Sequence, residues 1–130
     1  MKQPEDLKRL KARVAILEES AENIYSMKFI LQSLGYKVHA CVAGEGYLKD
    51  LLEFQPAVVV VDMLMPHGAG LLRISELRQS PLKDVAIVAV TAEAVPVSEE
   101  QLKAAGVNNI LTKPYSVADL QQSLNQYIDN

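Results

Sequence analysis

The stretch Ala57-Val58-Val59-Val60-Val61-Asp62-Met63-Leu64-Met65-Pro66-His67-Gly68-Ala69-Gly70 decides how the rest of the chain is read. Five apolar residues without polar alternation, four of them valine, suit a strand buried on both faces, the habit of parallel sheets. The run stops on a carboxylate, Asp62, and Pro66 and Gly68 then mark a turn before the next helical pattern. Comparable apolar runs occur on either side, at residues 14–17, 38–42, 85–90 and 109–111.

Helical patterns fill the intervals. Ser20 can cap a helix striped by Ile24, Met27, Leu31 and Leu34, with Gly35 where a left-handed residue belongs. The second helix is expected over 45–54, presenting Leu48, Leu51 and Leu52 and stopping before Pro56. The third is expected over 70–79, with Leu71, Ile74 and Leu77, ahead of Pro81. Ser98-Glu99-Glu100-Gln101 reads as a capping box for a short fourth helix ending at Gly106. Ser116 opens the fifth, striped by Val117, Leu120, Leu124 and Ile128. Five βα units in succession imply a parallel sheet with helices on both faces. Residues 1–12 stand outside the pattern as an N-terminal tail or linker, and 13–130 form the domain.

Bulk properties narrow the function classes. At 130 residues the chain is one domain, and 49% hydrophobic with 22% charged is the balance of a globular protein. A net charge of −3 argues against direct nucleic-acid binding across the domain. No apolar run is long enough for membrane insertion, and the charged first 13 residues hold no secretory segment, so the expected compartment is cytoplasmic. One cysteine and two histidines cannot fill a four-ligand structural zinc site. His39 and Cys41 alternate on one face of the second strand and read as a packed pair. Gly44-Glu45-Gly46 lacks the third glycine of a dinucleotide fingerprint, and no P-loop or Gly-x-Ser-x-Gly elbow is present.

Ligands of open parallel sheets bind beyond the carboxyl ends of the strands. There the first strand ends in Glu18-Glu19, the third in Asp62, the fourth in Thr91 and the fifth in Thr112-Lys113-Pro114. Carboxylates gathered together either hold a proton or share a cation. All-oxygen donors suit magnesium or calcium, and magnesium leaves positions for water and phosphate oxygens. A lysine supplies a point charge for phosphate, a threonine hydroxyl can donate to a phosphoryl oxygen, and an aspartate can attack phosphorus.

These residues resemble the receiver domain of two-component response regulators. Asp62-Met63-Leu64-Met65-Pro66-His67-Gly68-Ala69-Gly70 is similar to the family's Asp-x-x-Met-Pro-x-x-x-Gly run, Thr91-Ala92 to its Thr/Ser-Ala step, and Lys113-Pro114 to its cis Lys-Pro. The resemblance covers about residues 12–129. It implies a flavodoxin-like (βα)5 three-layer sandwich, strand order 2-1-3-4-5, an order the chemotaxis receivers also exemplify. It implies that Asp62 accepts a phosphoryl group from a histidine kinase or phosphotransfer protein. Glu19, Asp62 and the Leu64 carbonyl would hold Mg2+, with Glu18 ligating through water. Thr91, Ala92 and Lys113 would meet the phosphoryl group. Ile110, Pro114 and Tyr115 would belong to the switch and output region. The face of the fourth helix, fifth strand and fifth helix would meet a downstream protein, a fused output domain or a second copy.

Two positions depart from the family pattern. Glu19 stands where the direct metal ligand is usually Asp, and Ile110 where an aromatic residue or His usually switches. The resemblance thus implies a phosphorylatable receiver, free-standing or cut from a larger protein, that is not an enzyme beyond self-phosphorylation and autodephosphorylation. The alternative is a pseudo-receiver acting as a protein-interaction module. A magnesium-dependent phosphohydrolase would need a cap segment that is not seen.

Overall fold

A computed structural model describes residues 12–42, 46–65, 69–93, 95 and 97–128. The tail expected over residues 1–12 falls, except for Ala12, outside the described residues, as do Pro66, His67 and Ala94. The elements run β1 (Arg13–Glu18), α1 (Ala21–Ser33), β2 (Lys37–Val42), α2 (Tyr47–Phe54), β3 (Val58–Asp62), α3 (Ala69–Arg78), β4 (Ala86–Thr91), α4 (Glu99–Ala105), β5 (Asn109–Thr112) and α5 (Val117–Ile128). All pairings are parallel, in the order β2-β1-β3-β4-β5.

Strand alternation sorts the core into two layers. Ala15, Leu17, Val59, Val61, Ile87 and Ala89 face α2, α3 and α4, meeting Leu51, Ile74, Leu77 and Leu102. Val14, Ile16, Val58, Val60, Val88 and Val90 face α1 and α5, meeting Met27, Leu31, Leu120 and Leu124. The valine run of β3 is buried throughout because it has helices over both faces and strands on both sides.

The expected punctuation is present. The Ser20 side chain accepts a hydrogen bond from the Asn23 amide, and Ser98 and Gln101 form both arms of a capping box. Gly35 and Gly106 have φ of 99° and 104°. At Gly106 a side chain would be strained and would also meet Arg78. At Gly70 a Cβ would lie 2.8 Å from the Met63 sulfur, so the helix start sits directly on the turn that follows Asp62.

The helix stripes need two corrections. Val117 is exposed, and α5 buries Ser123 among its core residues, its hydroxyl donating to the Leu120 carbonyl. In α2 the buried face includes Tyr47, whose hydroxyl donates to Glu76 on α3 at 2.6 Å. The polar tip of that ring disguises a core position.

Candidate functional site

Register determines which strand-end groups meet. β1 and β3 pair Leu17 with Val61, so the next residues, Glu18 and Asp62, stand side by side. Both continue the parity of the strand residues facing α1 and α5. They are buried, at 4% and 6% exposure, which is unusual for two carboxylates. The Glu18 Oε1 accepts from the amides of Glu19 and Ser20 at 2.8 and 3.2 Å. The Asp62 Oδ1 accepts from the Leu64 amide at 2.8 Å, and Lys113 Nζ donates to its Oδ2 at 3.2 Å. β5 ends one residue before that lysine, whose amide donates to the Thr91 carbonyl, and the Lys113–Pro114 bond is cis.

Thr91 ends β4 beside Asp62, through the pairing of Asp62 with Val90. Its hydroxyl is buried and has no hydrogen-bond partner. A buried hydroxyl without a partner ordinarily costs about 1–3 kcal/mol.

A cleft of about 190 Å3 opens between α1 and the turn after β5, with Glu18, Asp62 and Lys113 inside and Asn23, Ser26 and Tyr115 along its walls. A larger depression of about 400 Å3, at the other end of the strands, is open and holds one carboxylate, Asp84. Converging ionisable groups, rather than volume, distinguish the smaller cleft.

Glu19 is exposed and does not line the cleft, and the three carboxylates do not converge within 4.8 Å of one another. The inward group of the acidic pair is Glu18. Leu64 is 44% exposed on the turn beyond Asp62, and Ala92 is half-buried. Ile110 packs against the layer that contains Leu102 and Val107. Pro114 is exposed, whereas Tyr115 is half-buried, its hydroxyl 3.9 Å from the Met27 sulfur. Asn23, Ser26 and Met27 are cleft residues that the strand-end search missed, because they come from a helix wall rather than a strand end.

Burial, reinforced by a hydrogen bond shared with Asp62, pushes the Glu18 carboxyl from 4.5 up to about 7. A carboxyl whose pKa rises on folding binds its proton more tightly when folded. Its contribution to stability is therefore full below pH 4.5 and is lost as the pH climbs through about 7. Without divalent cations, the native chain should lose up to about 3 kcal/mol relative to Glu18→Gln between pH 4.5 and 8. Urea unfolding of both proteins across that range checks this, and parallel profiles would contradict it.

The sheet order and the position of the cleft place the chain among the flavodoxin-like α/β proteins. Residues 14–125 match the response regulator receiver domain, and the chain belongs to that family, the signal-receiving modules of two-component systems. It is 34% identical over 114 residues to the tetrathionate response regulatory protein TtrR of Salmonella typhimurium, covering 87% of this chain and 54% of that protein. The chain thus spans about half the length of that relative. It is 25% identical to the polar-differentiation response regulator DivK of Brucella ovis, over 88% of this chain and 94% of that one. Among solved structures, chemotaxis protein CheY4 of Vibrio cholerae superposes with a TM-score of 0.78 at 26% identity, covering 89% and 98% of the two chains. The receiver domain of sensor histidine kinase PA1611 from Pseudomonas aeruginosa superposes at 0.79 with 27% identity, covering 92% and 98%; its structure has a magnesium ion coordinated in the active-site cleft. Among the described residues no helix is long and apolar enough to cross a membrane.

Proposed function

We propose that this receiver accepts a phosphoryl group on Asp62 from a phosphohistidine of a histidine kinase or phosphotransfer protein, and changes its affinity for a downstream partner in response. The unpaired buried hydroxyl of Thr91, beside a buried carboxylate that is bonded to Lys113, carries the reading. An Asp62 oxygen attacks phosphorus as the phosphorus–nitrogen bond breaks, and the imidazole leaves with its electron pair and takes a proton. Lys113 turns from the carboxylate towards the phosphoryl oxygens, and Thr91 donates to one of them, with the Ala92 amide beside it.

The donor set fits a hard cation. Glu18 and Asp62 are neighbouring buried carboxyl groups, an arrangement in which a divalent ion can replace a proton. Asp62 and Glu18, with Glu19 and the Leu64 carbonyl from the flanking turns, would hold Mg2+. Bound there, the ion offsets the negative charge of the carboxylates and of the incoming phosphoryl oxygens. Because Glu19 is outward-facing, it must refold to ligate, and its extra methylene adds a rotor to freeze. Glu19→Asp should tighten Mg2+ roughly two- to fivefold, the equivalent of about 0.5–1 kcal/mol of side-chain entropy. Calorimetric titration checks this; weaker binding would show that the turn is shaped around Glu.

Partner contacts follow from position. Phe29 is 67% and Tyr25 77% exposed, one turn apart on α1, and Phe29 is three residues on from the cleft residue Ser26. They give an approaching protein an apolar contact beside the cleft. The face of α4, β5 and α5, where Ile110 fills rather than swings, would carry the output to a downstream protein, a fused domain or a second copy. Incubation with acetyl phosphate and Mg2+, read by intact mass, tests the reading. A gain of one phosphate supports it, and no gain would leave a protein-interaction module.

A further inference from the structure

The edge strand β2 carries a second cluster of ligating atoms. His39 and Cys41 alternate along it on the side that faces α2, and Asp50 lies on α2 itself. A ring nitrogen of His39, the Cys41 sulfur and an Asp50 oxygen all lie within 4.8 Å of one another. The His39 ring rests on Phe54, with centroids 5.3 Å apart, and Phe54 is one helical turn beyond Asp50. Among the described residues, no hydrogen bond occupies any of the three donor groups.

This cluster is separate from the Asp62 cleft. Cys41 packs in the layer beneath α2, α3 and α4, whereas Ile16, Val60 and Met27 of the cleft belong to the layer beneath α1 and α5. The sheet lies between the two. The donors are also of another kind: imidazole, thiolate and carboxylate together suit zinc-class cations and disfavour magnesium.

We propose that His39, Cys41 and Asp50 form a three-donor site for a zinc-class divalent cation, with a fourth position open to solvent. Tetrahedral zinc, with bonds of about 2.0–2.3 Å, sets its donors roughly 3.4 Å apart, within reach of three atoms that already lie within 4.8 Å of one another. Asp50 is exposed and can adjust to the metal, while Cys41 is buried and the His39 ring lies tilted against Phe54. Binding would tie the edge strand to α2. It would also displace the thiol proton, which burial and the Asp50 charge otherwise hold until about pH 11. Affinity should therefore fall as the solution is acidified.

Cobalt(II) is the probe, because a cobalt–thiolate bond gives a near-ultraviolet charge-transfer band that carboxylate ligation lacks. The full chain, with excess Mg2+ to occupy the oxygen site, is titrated with Co2+ and then with Zn2+ in competition. One equivalent of Co2+ should raise the thiolate band, and Zn2+ should abolish it. Cys41→Ser should remove the band, and Asp50→Asn, an exposed change that spares the core, should weaken binding at least tenfold. Asp62→Asn should leave the band intact. Absence of a thiolate band, or unchanged affinity in Asp50→Asn, would overturn the site.

Discussion

The Asp62→Asn protein is expected to take up no phosphate from acetyl phosphate and Mg2+, under conditions where the native chain gains one. An amide is nearly isosteric with the carboxylate and can still accept the Leu64 amide hydrogen bond through its oxygen, so the β3 turn should persist. What it lacks is the nucleophilic anion. Lys113 also loses its ionic partner. The variant should remain folded, separating lost chemistry from lost structure. A second signature belongs to Glu18. Without the Asp62 carboxylate, a hydrogen bond and a like charge that raise its pKa disappear, and only burial keeps it elevated. Carboxyl NMR titration should show Glu18 ionising at lower pH in the variant. Phosphate persisting on Asp62→Asn, for instance on Glu18, would move the acceptor.

Arg78→Ala should destabilise the domain by about 3 kcal/mol and lower Tm by roughly 10 °C. Arg78 ends α3 and fans its guanidinium across three carbonyls. It reaches Gly106 through Nε and Nη2 at 3.0 and 2.6 Å, and Lys83 and Val85 through Nη1 at 2.9 and 2.6 Å. It also donates to Asn108 Oδ1 at 2.8 Å, the atom that accepts the Ile87 amide at the start of β4. One side chain therefore joins the end of α3, the loop into β4 and the turn between α4 and β5. Its removal leaves partly buried carbonyls unpaired, which costs more than the bonds contribute net. Arg78→Lys should recover only part of the loss, because an ammonium lacks the planar fork. Urea unfolding should show a lower midpoint at constant slope. A change below about 0.5 kcal/mol would show that water replaces the guanidinium at those carbonyls.

The two residues differ in how readily the sequence reveals them. Asp62 is legible because it is the first polar residue after an uninterrupted valine run, and such a run in a parallel sheet ends at the ligand edge. Thr91 is legible for the same reason on its own strand, and Lys113 follows directly on Thr112, the polar end of β5. Arg78 is not: most of its partners are backbone carbonyls 5 to 28 residues away, and a carbonyl has no sequence signature. Glu18 and Glu19 are intermediate. Both are visible as an acidic pair, but which one turns inward depends on parity at the last residue of β1 and on its register with β3.

The sequence by itself determined the order of elements, their principal stops and the chemistry available at the strand ends. These follow from local rules: side-chain alternation, helical spacing, capping hydroxyls at Ser20 and Ser98, and glycines at positive φ. Only the tertiary structure decided that Glu18 rather than Glu19 lies against Asp62, that Val117 is left exposed, and that Tyr47 reaches Glu76. It alone brought Asp50 to His39 and Cys41. The physical reason is range. Propensity and periodicity act within a few residues, whereas register and helix docking are set by packing summed over the whole sheet, and neighbours made in that way leave no mark on either segment alone.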